Sequence, residues 1–78
     1  MDDGMFIINL RLGDSRYSIK VKREDEDLYR IAAEKANNLL SEFSLTFSDI
    51  TKHNLLGMVT LQLAYECEAM KKAKNEPY

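Results

Sequence analysis

Tryptophan is absent from this chain, and cysteine, histidine and proline occur once each. Because Cys67 is the only thiol, no disulfide can form within the chain. A lone thiol also fits a reducing cytosol better than a secreted compartment. One Cys and one His, Cys67 and His53, cannot supply the four ligands of a structural zinc. Glycine is nearly as scarce, at three residues. Gly13 has neither a second glycine nor a following Lys-Ser/Thr, so it makes no phosphate-binding loop.

An excess of one charge sign is missing as well. Eleven basic and thirteen acidic residues leave a formal net charge of −2. That disfavours general nucleic-acid binding, which relies on dense Lys and Arg neutralising phosphates. No apolar run is long enough to span a bilayer, since Leu55 to Met70 is interrupted by Gln62, Glu66 and Glu68. The opening Met1-Asp2-Asp3-Gly4 is acidic, unlike the start of a secretory signal. A soluble, cytoplasmic protein is expected, with no membrane insertion and no cofactor.

What is present is apolar surface at helical spacing. Wound at roughly 3.6 residues per turn, Leu56, Val59, Leu63, Cys67 and Met70 form one stripe of a second helix. Leu55, Met58, Leu61 and Tyr65 cover most of the remainder. A helix apolar nearly all round must be buried on more than one side. A chain of 78 residues buries only about 60% of the surface its unfolded form exposes. Domains this small often need a disulfide, a metal or a partner subunit. The first two are gone, so self-association is the device left. The candidate interface residues are Leu55, Leu56, Val59, Leu63, Tyr65, Cys67 and Met70.

Upstream the period changes to two. Phe6, Ile8, Leu10 and Leu12 fall on one face of a strand and Asn9 and Arg11 on the other, with Ile7 a mild exception. Gly13-Asp14-Ser15-Arg16 is rich in turn formers. Tyr17, Ile19 and Val21 then alternate inward against Ser18, Lys20 and Lys22. The two runs make a β-hairpin, which is marginal alone and must lie on something.

Glu24-Asp25-Glu26-Asp27 suits the positive end of a helix, each carboxylate contributing about 0.3 kcal/mol or more at low salt. Leu28, Ile31, Ala32, Lys35/Ala36, Leu39, Leu40 and Phe43 follow on one face, with Arg30, Glu34, Lys35, Asn38 and Glu42 outside. Ser44 to Ser48 reads as a connector, and Ser48 or Asp49 as the cap of the next helix. Helix 2 is expected from about Ile50 to Asn75, with Pro77 unable to continue it. Gly57 costs up to about 1 kcal/mol inside a helix, which reads as close helix approach in a packed interface. The expected class is α+β, ββαα, as one domain over residues 1–78. Its parts are a hairpin at 5–22, helix 1 at 24–43 and helix 2 at 49–75.

No catalytic constellation is found. Ser48, Asp49 and His53 crowd one helix start, where capping accounts for the first two. Cys67, flanked by Glu66 and Glu68, lacks the electropositive setting of a reactive cysteine and reads as a small packed hydrophobe. Consecutive carboxylates at Glu24 to Asp27 point in different directions on a helix and make no cation site. Lys20, Lys22 and Arg23 form a small basic edge, a solvated face that also guards against edge pairing and that could meet an acidic partner.

With that order established, the residues resemble the ZapA family, small bacterial proteins that associate with the division GTPase FtsZ. Ile8-Asn9-Leu10-Arg11-Leu12-Gly13 followed by Tyr17-Ser18-Ile19-Lys20-Val21 resembles the family's hairpin. Glu24 to Asn37 is similar to its acidic helix start and Ala-Ala step. Leu61-Gln62-Leu63-Ala64-Tyr65-Glu66 is similar to its second-helix segment. The likeness covers roughly residues 6 to 70, carried by order and spacing.

The resemblance implies a protein without enzymatic activity that binds FtsZ and cross-links or bundles protofilaments at the mid-cell division ring. It implies a bivalent homo-oligomer whose head dimerises and whose second helix continues as a coiled coil pairing two dimers. Its FtsZ contacts would fall on Arg16, after a turn one residue longer than usual, and on His53 and Met58 at the start of helix 2. His53 stands where some members carry an acidic residue. The family's long helix usually runs well beyond this point, whereas helix 2 here, at about 25 residues, is roughly 38 Å long. Glu66 interrupts the seam, so a sustained heptad is absent and a homodimer is expected, with the tetramer as the family's further step. The other class of reading is a small homodimeric regulatory or nucleic-acid-binding module. That would need a helix dense in Arg and Lys to enter a groove, and neither helix has one.

Overall fold

Period-two alternation produces two antiparallel strands, β1 (Met5–Leu12) and β2 (Ser15–Lys22), in a two-stranded sheet. The structure is a computed structural model that describes residues 4–75. In the register Phe6 faces Val21, Ile8 faces Ile19 and Leu10 faces Tyr17. This places every apolar residue expected inward on one side of the sheet. Ile8 and Val21 are its buried residues. Tyr17 shares that side but stays exposed, because only the Leu12–Ser15 pair separates it from the turn on that face. Gly13 takes φ of 62° in the two-residue turn, a conformation that a Cβ would strain. At the open end the Arg23 N–H donates to the Gly4 carbonyl at 2.8 Å. The Arg23 guanidinium lies 4.5 Å over the Phe6 ring.

A short 3-10 turn, Arg23–Asp25, leads into α1 (Glu26–Thr46). Glu26 and Asp27 occupy the first turn of α1, where exposed N–H groups favour anions. Arg30 Nε donates to Glu26 Oε2 at 2.9 Å, an i,i+4 pair. The chain forms two compact units, one up to Leu39 and one from Leu40 onward, and α1 contributes to both.

In the first unit α1 meets the hairpin through Asn37. The apolar stripe expected from Leu28 to Phe43 is covered only in part: Ala36, Leu39, Leu40 and Phe43 are half-buried, whereas Leu28, Ile31 and Ala32 are exposed. Leu28 and Ile31 are 66% and 60% exposed. They lie on the opposite side of the helix from Ala33 and Asn37 at 3.6 residues per turn. The residue that bonds the hairpin, Asn37, flanks the half-buried part of the expected stripe instead of belonging to it.

In the second unit α1 continues to Thr46 instead of yielding to a connector after Phe43. The Thr46 hydroxyl donates to the Glu42 carbonyl at 3.0 Å, and the Phe47 N–H donates to Phe43 O at 2.8 Å. The Phe43 and Phe47 rings meet edge to face with centroids 6.1 Å apart. These contacts hold the extra turn. The Ile50 N–H then donates to Phe47 O at 3.0 Å, closing the bend before α2 (Lys52–Asn75). Ser48 and Asp49 sit in that bend, so neither caps α2. The cap is Thr51, whose Oγ1 accepts the Asn54 N–H at 3.2 Å. The helix stop expected at Pro77 lies outside the described residues. Among the described residues, no helix is long and apolar enough to cross a membrane.

Candidate interaction site

The pleat of the hairpin sorts charge as cleanly as it sorts hydrophobicity. Opposite the apolar face stand the pairs Met5–Lys22, Ile7–Lys20, Asn9–Ser18 and Arg11–Arg16. Neither strand carries a carboxylate. At the centre Ser18 Oγ donates to Asn9 Oδ1 at 2.6 Å, so these two side chains satisfy each other. Ile7 stands 64% exposed beside Lys20. The face is thus two cationic ends separated by a neutral pair, with one bare aliphatic side chain.

The tip is held from α1. Asn37 Oδ1 accepts the Gly13 N–H at 2.8 Å while its Nδ2 donates to the Arg11 carbonyl at 2.9 Å. Arg11 also donates from its guanidinium to Gly13 O at 2.8 Å. The backbone that presents Arg11 and the turn is therefore fixed on both sides of Leu12. Beside this clamp an open groove of about 410 Å³ is lined by residues of β1 and α1, among them Asn9, Arg11, Arg30 and Glu34.

Arg16, the basic residue singled out from the sequence, is exposed directly opposite Arg11. Sequence reading placed Arg11 on the outer face without giving it a role, and it gave Asn37 none. An asparagine in the middle of a helix is a mild local misfit, which was the available signal for Asn37. His53 and Met58 belong to the second unit, on the first turns of α2, and both are exposed.

On α2 the proposed interface residues divide by burial. Val59 is buried, at 5% exposure, and Leu55 and Leu63 are half-buried. Leu56, Tyr65, Cys67 and Met70 are exposed, with Tyr65 at 65% and Met70 at 72%. Leu61, outside the expected interface set, is 70% exposed and follows Met58 and precedes Tyr65 on one helical face. Gln62 Nε2 donates to Glu66 Oε2 at 2.9 Å, which ties together the polar positions that interrupt the stripe. A Cβ on Gly57 would meet nothing within 4 Å in the protomer.

Compared with models of known families, residues 8–77 match the family described as "Cell division protein ZapA". No curated protein and no solved structure gives a match.

Proposed function

The chain belongs to the ZapA family of cell division proteins, and on that premise we propose that it binds FtsZ and bundles its protofilaments as a bivalent homo-oligomer. The observation that carries the reading is the bare apolar surface of α2. Leu56, Leu61, Tyr65 and Met70 are all exposed in a single protomer, Leu61 and Tyr65 on one side of the helix and Leu56 and Met70 on the other. Large apolar side chains left bare on two sides of one helix mark contact with another molecule. A second copy supplies the matching helix, and a two-fold arrangement presents each head twice.

Bivalency does the cross-linking. Two equal sites on one particle join two filaments, and the second binding event gains from effective concentration even when each contact is weak. Weak, multiple contacts suit a ring whose filaments turn over. Arg16 on the hairpin, with His53 and Met58 on α2, are the contact residues this reading favours. The α2 surface holds the copies together. The protein works as an adaptor at the mid-cell ring and carries out no chemistry on its partner.

The test combines sedimentation equilibrium with FtsZ pelleting and light scattering. A dimer or tetramer at micromolar concentration, together with increased scattering of FtsZ polymers, is the expected result. A monomer that leaves FtsZ scattering unchanged would remove the mechanism.

A further inference from the structure

We infer that the outward face of the hairpin is a docking surface for an acidic, extended protein segment that carries one large apolar side chain. Applied to FtsZ, this rests on the function proposed above and specifies its chemistry. Four cations, Arg11, Arg16, Lys20 and Lys22, share the face, and no carboxylate interrupts it on either strand. Their arrangement is bipartite. The Arg11–Arg16 pair and the Ile7–Lys20 pair stand four residues apart along β1. That is about 13 Å of strand. The hydrogen-bonded pair Asn9–Ser18 between them keeps the middle neutral.

A matching segment therefore has two groups of carboxylates about four residues apart. An aliphatic or aromatic side chain lies between them, toward Ile7. Ile7 is the only aliphatic side chain besides Met5 on this face, and it is open to solvent. Contact between carboxylates and guanidinium groups is charge-assisted and directional, which favours Arg at the tip. The tip is also the rigid end, since Asn37 bonds the backbone at Arg11 and Gly13. The Lys end tolerates looser geometry, as ammonium groups act as point charges.

The sequence that follows selects a protein segment over a nucleic acid. Glu24-Asp25-Glu26-Asp27 follows β2 after a single intervening residue, Arg23. A phosphate backbone carries charge at every step and would be repelled there. A short acidic segment ends before it.

Two measurements test this. In the first, the whole chain labelled with nitrogen-15 is titrated with a synthetic dodecapeptide bearing two glutamate pairs that flank a leucine. Shifts at the amides of Ile7, Arg11, Arg16, Lys20 and Lys22 that fade with added salt are expected. Absence of shifts, or shifts elsewhere, overturns the inference. So does tighter binding of the same face to duplex DNA or to phosphatidylglycerol vesicles.

In the second, Lys20→Glu with Lys22→Glu is compared with the wild type in FtsZ pelleting, with circular dichroism confirming the fold. Both lysines are exposed. About tenfold weaker binding and a flatter salt dependence are expected, because charges at an interface act through association rate and screening. Equal binding by variant and wild type overturns this inference and leaves the proposed function standing. If the wild type itself does not pellet with FtsZ, the proposed function falls, and the peptide titration alone decides the docking surface.

Discussion

Asn37 holds Gly13 at a sequence separation of 24 residues: its carboxamide oxygen accepts the glycine N–H at 2.8 Å, and its nitrogen donates to the Arg11 carbonyl two residues earlier at 2.9 Å. One helical side chain thus satisfies a donor of the turn and a carbonyl of β1 together. It converts a marginal two-stranded hairpin into a fixed platform.

Asn37→Ala should lower stability by about 1–3 kcal/mol, chiefly because the glycine N–H loses its partner in a part-buried place, while the exposed arginine carbonyl can turn to water. For a domain this small each kcal/mol moves the melting midpoint by about 4–8 °C. Asn37→Asp should cost less than Ala at Gly13, where acceptance survives, while losing the donor to Arg11. A thermal melt of the three proteins checks the order. Identical midpoints would mean that the clamp contributes nothing to the fold.

Gly57 has open space where its Cβ would be, so nothing within the protomer calls for glycine there. Alanine at an exposed helix position is favoured by about 0.5–1 kcal/mol. If another copy's backbone approaches at Gly57, Gly57→Ala should raise helicity in the monomer yet weaken self-association. We expect that outcome, read as a dissociation midpoint moved to higher concentration in sedimentation. A variant that is both more stable and equally associated would place Gly57 in water within the assembly too.

Much of the scaffold is legible in the sequence because it depends on period alone. Alternation fixed which side of each strand is apolar, and the structure keeps Phe6, Ile8, Leu10 and Leu12 together on it. Helical spacing located both helices. What escaped were choices settled by tertiary contact. Ser48, Asp49 and Thr51 are all competent caps, and only the Phe47–Ile50 bend decides that Thr51 serves. Of the stripe from Leu28 to Phe43 only the later residues are half-buried, and the bond to the hairpin comes from Asn37, a polar residue beside the stripe that periodicity does not pick out. The basic face was half visible: Lys20 and Lys22 stood out as neighbours in sequence, but Arg11 joins Arg16 only through the register.

The Thr51 cap gives a local test of α2. Thr51→Ala removes the acceptor for the Asn54 N–H and should cost about 0.5–2 kcal/mol. Ser48→Ala and Asp49→Ala should stay within about 0.5 kcal/mol, as surface substitutions usually do. A denaturant melt that ranks Ser48 or Asp49 above Thr51 would contradict the capping geometry.

Arg16→Glu separates binding from assembly. Arg16 is exposed and belongs to the hairpin, not to the α2 residues given to self-association, so the variant should keep its sedimentation profile. Placing a carboxylate opposite Arg11 also gives that arginine a local partner, which withdraws a second cation from any acidic ligand. Binding to FtsZ should fall about tenfold, most of it in the association rate at low salt. Pelleting at two salt concentrations checks this, and undiminished binding would remove Arg16 from the contact.

Leu61→Glu does the reverse. Leu61 is 70% exposed in the protomer, so glutamate there leaves the single subunit intact and is harmful only if another copy covers it. A charge buried without a partner costs about 3–5 kcal/mol, enough to move a dissociation constant by more than about a hundredfold. The variant should sediment as a monomer at concentrations where the wild type associates. It should still bind FtsZ through Arg16 on one head, with some loss from the charge placed one turn after Met58; a single head cannot join two filaments, so scattering from bundles should vanish while pelleting with polymer persists. Leu63→Glu is the less clean probe, because Leu63 is already half-buried within the protomer and its loss would disturb folding as well. If the Leu61 variant associates and bundles as the wild type does, the bare surface of α2 is not what brings the copies together.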